Sequence, residues 1–414
     1  MNRRRVVITG LGPITCIGKG VEGFWNGIRA EETGIRPITC FDVSAFGVRV
    51  AGEMSDWNPE EFFTPQRLKR LDRYAQFAVA SAKLALDDAG IEYSKEKPQE
   101  RVGVSFGTAL GGVCKAEEQY VRFLKKGPRG VQPTLAVQVF GGSAHSNIAI
   151  DFGFRGVGTT NSNSCASGTV SVGEAVRYIR DNFADVIVAG GAEAPLTTIT
   201  VGAFDIIKTM SRNHDPQTAS RPFDKLRDGF VMGEGAASLI LEELEHANER
   251  GAKIYAEVLG YSLNNDGFHM TTPLPSGESC IRAMRDALAD ANVAPEQIDY
   301  VNAHASSTQL NDSAETMSIK AVLGERALQI PVSGTKGYYA HPLGATGAIE
   351  AVLCALAMEK NWVPPTINYQ NPDPTCDLDV VPNHGRDAEL NYVMSNSFGF
   401  GGINASIVLG RARD

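Results

Sequence analysis

The chain has 414 residues, 43% hydrophobic and 21% charged. That composition excludes disordered, collagen-like and coiled-coil chains and supplies enough apolar residues for a large core of two or three domains. Lys and Arg number 39 against 48 Asp and Glu, a formal net charge of −9, which argues against general nucleic-acid binding.

Near the N-terminus, Arg3-Arg4-Arg5 precedes a buried-strand pattern that begins at Val6 and breaks at Gly10, Gly12 and Pro13. Because the stretch is broken there, a first buried strand over Arg5–Thr9 is expected in place of a secretory signal. A helix is predicted over Arg73–Ala89 and a strand over Val102–Phe106. A second helix, Ser167–Asn182, is followed by strands at Asp185–Ala189 and Ala237–Leu241. The later strands are Ala256–Leu259, Tyr300–Asn302, Val332–Ser333, Tyr392–Met394 and Ala405–Leu409, with helices at Gly277–Ala291 and Gly347–Lys360. Strands that alternate with helices and leave through glycine turns predict α/β layers. The break at Arg250-Gly251-Ala252 divides the chain into residues 1–251 and 252–414. The longest later apolar run, Val352–Met358, is far below the ~20 residues of a membrane span. A soluble, cytoplasmic protein is expected.

Seven cysteines, odd in number, irregularly spaced and without a Cys-x-x-Cys pair, read as thiols of a reducing compartment, with neither a disulfide framework nor a metal site. One of them has a special setting. In Thr160-Asn-Ser-Asn-Ser-Cys165-Ala-Ser-Gly-Thr169, Cys165 falls at a strand-to-helix turn. Unpaired N–H groups at a helix start favour an anion and are expected to depress the thiol pKa. Cys165 is therefore either a nucleophile or a buried structural thiol at a tight turn.

Two of the seven histidines, His304 and His341, each follow a strand and precede a helix in small-residue loops. Paired imidazoles could stabilise a developing oxyanion. Lys336, Asp312, Glu315 and Glu350 are candidates to fix their tautomers and charge. His145, His214, His246, His269 and His384 lack this context. The segment Ser395-Asn-Ser-Phe398-Gly399-Phe400-Gly-Gly-Ile403-Asn404 suits a hinged gate or an exposed backbone N–H, or alternatively a bulge with a packed Phe. Gly107-Thr-Ala-Leu-Gly111-Gly112 lacks the lysine and spacing of a phosphate loop, so no nucleotide is expected.

With its Cys, two His, Lys and Phe-Gly-Phe-Gly-Gly in this order, the chain resembles the β-ketoacyl-acyl-carrier-protein synthases of the condensing-enzyme (thiolase-fold) superfamily, and most of all the synthase II type. The match runs from Val6-Val-Ile-Thr-Gly through Ala219-Ser-Arg-Pro-Phe-Asp224, Arg227-Asp-Gly-Phe-Val231 and Val363-Pro-Pro-Thr-Ile-Asn368 to Ala405-Ser-Ile-Val-Leu. The resemblance implies a five-layer αβαβα sandwich of two similar halves with mixed sheets, the first carrying the cysteine and the second both histidines, in a homodimer. It implies decarboxylating condensation of an acyl thioester on Cys165 with malonyl-acyl carrier protein. His304 and His341 would hold the enolate, and the amides of Cys165 and Phe400 the tetrahedral oxyanion. Lys336 would pair with Glu315 and organise the histidines.

By the same resemblance, Ser306 and Thr308 would bond the phosphopantetheine arm. Phe400 would gate the acyl pocket, which Leu110, Phe204, Phe398 and Gly399 help to line. Arg67, Lys69, Arg70, Arg129 and Lys208 would dock the acidic carrier protein. No cofactor is implied beyond the pantetheine that the carrier brings. A structural monovalent cation at Asn302, Glu350, Ser395 and Asn396 is a further implication.

The chain departs from the family pattern at Ala305 and Ala340, where glycine is usual, and at Ile403, where threonine is usual. The added methyls are expected to occupy volume near the reacting carbons and to affect substrate choice. A ketosynthase of a dissociated polyketide system, paired with a Cys-less chain-length-factor homologue, is the alternative. A non-catalytic chain-length factor is disfavoured because Cys165 and both histidines are present. A thiolase is disfavoured because the last loop has no second cysteine.

Overall fold

The computed structural model describes residues 3–412. In its eleven-stranded main sheet the two-residue strand Gly18–Lys19 pairs with the end of the first strand, and the other ten strands fall into two five-strand sets. The first contains β1 (Val6–Thr15), β2 (Val102–Gly107), β3 (Gly158–Asn161), β4 (Val186–Glu193) and β5 (Gly235–Glu243), in the order β3-β2-β4-β5-β1. The second contains β6 (Ala256–Asn265), β7 (Tyr300–Asn302), β8 (Val332–Ser333), β9 (Tyr392–Gly399) and β10 (Ile403–Gly410), in the order β8-β7-β9-β10-β6.

The two sets have one topology. β2 runs parallel to β3 and β4, and β5 is antiparallel to β4 and β1. Likewise β7 runs parallel to β8 and β9, and β10 is antiparallel to β9 and β6. A short antiparallel ladder, Val7 with Glu257 and Ile8 with Ala256, joins them.

Helices complete five layers. α1 (Arg73–Ala89) packs on β1, β5 and β4 from outside. The approach is so close that a Cβ on Gly10 or Gly12 would lie 2.3 Å from Ala85 O or 2.1 Å from Ser81 O. α2 (Ser167–Arg180) and α5 (Thr346–Lys360) fill the middle, in contact with each other and with strands of both sets. α3 (Glu278–Ala291) covers β6 and β10, with α4 (Gln309–Leu323) beside it. α5 is buried continuously from Thr346 to Met358, as a helix apolar on nearly every side must be, with Glu350 the one charge in that stretch.

β1 runs on to Thr15, beyond the break expected at Gly10–Pro13. A register shift between Ile8 and Gly10 absorbs the irregularity. Past Ile8 the ladder with β6 has ended, so Pro13 falls where β1 has lost a neighbour and a missing N–H is tolerated. Among the described residues no helix is long and apolar enough to cross a membrane.

Candidate active site

Cys165 sits on the 3-10 turn Ser164–Ala166, between edge strand β3 and α2. Ser164 adopts φ +52°, and the Ser167 hydroxyl donates to Ser164 O at 2.7 Å, which fixes the turn. The start of α2 lies hard against the start of α5: a Cβ on Gly168 would stand 2.5 Å from Ala348 N. That contact brings the cysteine of the first set to the histidine loops of the second.

A cavity of about 420 Å³ is lined by Cys165, His304, His341, Phe398, Gly399 and Phe400. Cys165 is 8% exposed. Burial raises its thiol pKa, opposed by the Ser164 hydroxyl, the Phe400 amide and the charge of Lys336. The depression expected from the helix start is therefore outweighed, and the free thiol is the favoured resting form. The Phe400 amide lies close enough to the sulfur to favour its charged form, which places an N–H donor near the atom expected to react.

The imidazole centroids of His304 and His341 are 5.4 Å apart, with planes at 78°. His341 Nδ1 meets Thr346 Oγ1, at the start of α5, at 2.8 Å. His304 Nδ1 is buried without a hydrogen-bond partner in the protein. Burial, then the nearby Lys336 charge, holds both rings well below the ordinary histidine value of 6.5. Both are neutral near pH 7.

The supporting charges differ from expectation. Lys336 pairs with Glu350, Nζ to Oε1 at 2.6 Å, and not with Glu315; its ammonium also donates to the His304 carbonyl. Glu315 instead accepts the amides of His304 and Ala305, each at 2.8 Å. Asp312 accepts the Phe223 amide at 2.9 Å and faces Arg227. These carboxylates hold backbone or Lys336, and the ring contact comes from Thr346. Glu350 lies one turn into α5 and reaches Lys336 across a layer boundary, a pairing that sequence spacing does not reveal.

Ser306 and Thr308 line the cavity, and their hydroxyls meet at 3.0 Å. Leu110 and Phe204 line it too, and Phe204 stacks on Phe400 with centroids 6.1 Å apart. Lys208 is exposed at the same cavity. Lys69, Arg70 and Arg129 are exposed away from its lining. Arg67 is already engaged, bonding Asp151 at 2.9 Å and Asn147 at 2.6 Å, so its charge is committed within the fold.

The methyls of Ala305 and Ala340 do not line the cavity. Both residues take glycine-like backbone conformations, φ +39° and φ +63°. Their side chains face glycines: a Cβ on Gly334 would lie 2.6 Å from Ala305 Cβ, and one on Gly52 2.9 Å from Ala340 Cβ. The expected intrusion on the reacting carbons is thus corrected. Of the residues named for a cation, Asn302 and Ser395 bond each other and Asn396 accepts from Ser406. Glu350 Oε2 alone of the carboxylate oxygens named there is buried without a partner. Among the described residues no cluster of three or more His, Cys, Asp or Glu could hold a metal ion.

One residue was missed. Glu193, at the end of β4, is fully buried and accepts hydrogen bonds from Thr108, Ala109, Leu110 and Gly344. In sequence it falls four residues beyond the strand expected over Asp185–Ala189, and no local signal sets it apart.

Residues 3–247 match the family model "Beta-ketoacyl synthase, N-terminal domain" and residues 255–370 the corresponding C-terminal domain. The chain belongs to the beta-ketoacyl synthase family. It is 42% identical to a 3-oxoacyl-[acyl-carrier-protein] synthase 2 of Coxiella burnetii, covering 100% of both chains. It is 43% identical to the protein of that name in Synechocystis, over 98% of each, and 42% identical to that of Staphylococcus aureus, over 98% of each. The solved ishigamide ketosynthase/chain length factor is similar at a TM-score of 0.92 and 38% identity, covering 99% of this chain and 100% of that one. A ketosynthase in complex with a type II PKS acyl-carrier protein is similar at 0.92 and 36%, covering 100% of both. The thiolase-like layered α/β fold of these ketosynthases is the fold of this chain.

Proposed function

We propose that this beta-ketoacyl synthase is a 3-oxoacyl-[acyl-carrier-protein] synthase of fatty-acid elongation. The observation that carries the reading is the shared cavity of Cys165, His304 and His341. The names of relatives at 42–43% identity over nearly the whole chain support the substrate class.

In the first half-reaction the Cys165 sulfur attacks the thioester carbonyl of an acyl-carrier protein. The bond to the pantetheine sulfur breaks, the acyl–Cys165 bond forms, and the thiol proton leaves with the pantetheine thiol. Malonyl-carrier protein then binds, with its arm along Ser306 and Thr308. Its carboxylate leaves as CO2, and the electron pair of the broken C–C bond becomes an enolate.

Neutral imidazoles suit that enolate because each can donate one N–H. In the tautomer whose Nδ1 accepts the Thr346 hydroxyl, the His341 proton sits on Nε2, free to donate to the enolate. Burial, and then the Lys336 charge, keeps the rings from taking up a second proton. The enolate carbon attacks the acyl–Cys165 carbonyl, and the amides of Phe400 and Cys165 receive the oxyanion. Removal of one such donor costs ~10²–10³ in rate in other enzymes. Collapse releases a 3-oxoacyl product two carbons longer and a Cys165 thiolate, which takes a proton from solvent.

The reading extends to the assembly: a cytoplasmic homodimer in which residues 1–251 carry the nucleophile and residues 252–414 both histidines. Lys208 and the exposed Lys69, Arg70 and Arg129 would meet the acidic carrier. A polyketide ketosynthase is the second reading, favoured by the ishigamide neighbour but at lower identity than the curated relatives. Incubation with malonyl-carrier protein and a ladder of acyl-carrier proteins, read by product mass, tests both. Single two-carbon extension of saturated primers supports elongation; repeated unreduced extension supports the second reading; no extension contradicts both.

A further inference from the structure

Glu193 is the last residue of β4, and its side chain is fully buried. Oε2 accepts the Ala109 amide at 2.6 Å and the Gly344 amide at 3.0 Å. Oε1 accepts the Thr108 hydroxyl at 3.0 Å and the Leu110 amide at 3.1 Å. Two loops from opposite halves of the chain therefore hang on one carboxylate.

The first loop leaves β2, and Ala109 and Leu110 line the cavity. The second carries His341, followed by Leu343, which also lines the cavity, and then Gly344. The junction has no slack. A Cβ on Gly344 would lie 2.4 Å from Ala109 N and 2.6 Å from Glu193 Oε2. A Cβ on Gly191 would lie 2.7 Å from Gly344 O.

A buried carboxylate is a costly way to finish a strand, because desolvation disfavours its charge unless donors surround it. Here burial raises its pKa to about 7, and the three amides and the Thr108 hydroxyl oppose the rise. An apolar residue would fill the space but leave three amide donors without acceptors.

We propose that Glu193 is a positioning residue that locks the acyl-pocket loop Thr108–Leu110 to the His341–Gly344 loop, so that the primer bound in the pocket sets the placement of His341. The proposal rests on the condensing activity argued above. A long primer presses on Leu110, and the carboxylate carries that contact to the histidine loop. Glu193 touches neither the reacting atoms nor the primer.

The test is Glu193→Gln, which keeps the shape but replaces one acceptor oxygen with a donor nitrogen. The ratio of kcat/KM for a long to a short acyl-carrier primer is independent of the fraction of active enzyme. It is expected to change by about fivefold or more, the effect of roughly one lost buried hydrogen bond. A purely structural role lowers both values together and leaves the ratio alone. Should Glu193→Gln fail to fold, Thr108→Val, which removes one donor to Oε1, is expected to move the same ratio by about twofold, within the range of a weak neutral hydrogen bond. A folded variant with an unchanged ratio overturns the role of Glu193 alone, whereas a wild type that condenses no primer overturns the functional reading with it.

Discussion

Lys336 Nζ and Glu350 Oε1 lie 2.6 Å apart in an ion pair whose side chains are 1% and 0% exposed. The pair joins the turn ahead of His341 to the second turn of α5, and Lys336 also holds the His304 carbonyl. Both charges are far from water, so removing one strands the other. Lys336→Met or Glu350→Leu is expected to cost about 3–5 kcal/mol of stability, as for other broken buried pairs. Denaturant unfolding measures this; a loss under about 1 kcal/mol, the level of an exposed pair, would contradict it.

The fold was legible where burial leaves a continuous trace. β4 and β5 read as strands because every residue in them is buried, and α5 because its apolar run is unbroken. Strand β3, Gly158–Asn161, is implied by the strand-to-helix turn at Cys165, but its bounds are not legible because it is a polar, half-exposed edge. Cys165 and both histidines were legible because each sits in a small-residue turn at a strand or helix end. The partner of Lys336 was not, since Glu350 and Glu315 lie on different helices and only layer packing chooses between them. Glu193 was invisible because its donors come from loops remote in sequence.

His304 and His341 are held well below the ordinary histidine value by burial and by Lys336. Below pH about 6.5 the unfolded chain takes up protons on these rings and the folded protein does not. The stability they contribute is thus present above pH 6.5 and lost as pH falls. His341→Asn is expected to flatten the decline of stability between pH 6.5 and pH 5, ranges set by the ordinary value of about 6.5. Equal pH slopes for wild type and variant would refute the neutral assignment.

Ala340 sits at φ +63°, ψ −154°, a region that costs a residue with a Cβ about 1–3 kcal/mol. Ala340→Gly removes that strain, while the added freedom of the unfolded chain returns about 0.4–1 kcal/mol. A net gain of about 1 kcal/mol is expected from these two effects. A lower melting temperature would mean that methyl packing against Gly52 and Gly233 outweighs the backbone strain.

Lys208 and Arg67 should separate by assay. Lys208 is exposed and lines the cavity, so Lys208→Ala is expected to raise KM for carrier protein, more at low salt, with kcat held. Arg67 is bound to Asp151 and Asn147, so Arg67→Ala is expected to lower the melting temperature and leave that KM within about twofold, as for a charge outside the docking surface. The reverse pattern would relocate the docking face.

Intact-mass measurement of the protein, first with an acyl-carrier protein and then after a malonyl-carrier chase, addresses the chemistry of the site most directly. One acyl adduct is predicted on Cys165, absent from Cys165→Ala and discharged by the chase as a 3-oxoacyl product two carbons longer with release of CO2. An adduct that maps to another residue, or one that the malonyl donor leaves in place, would contradict the account.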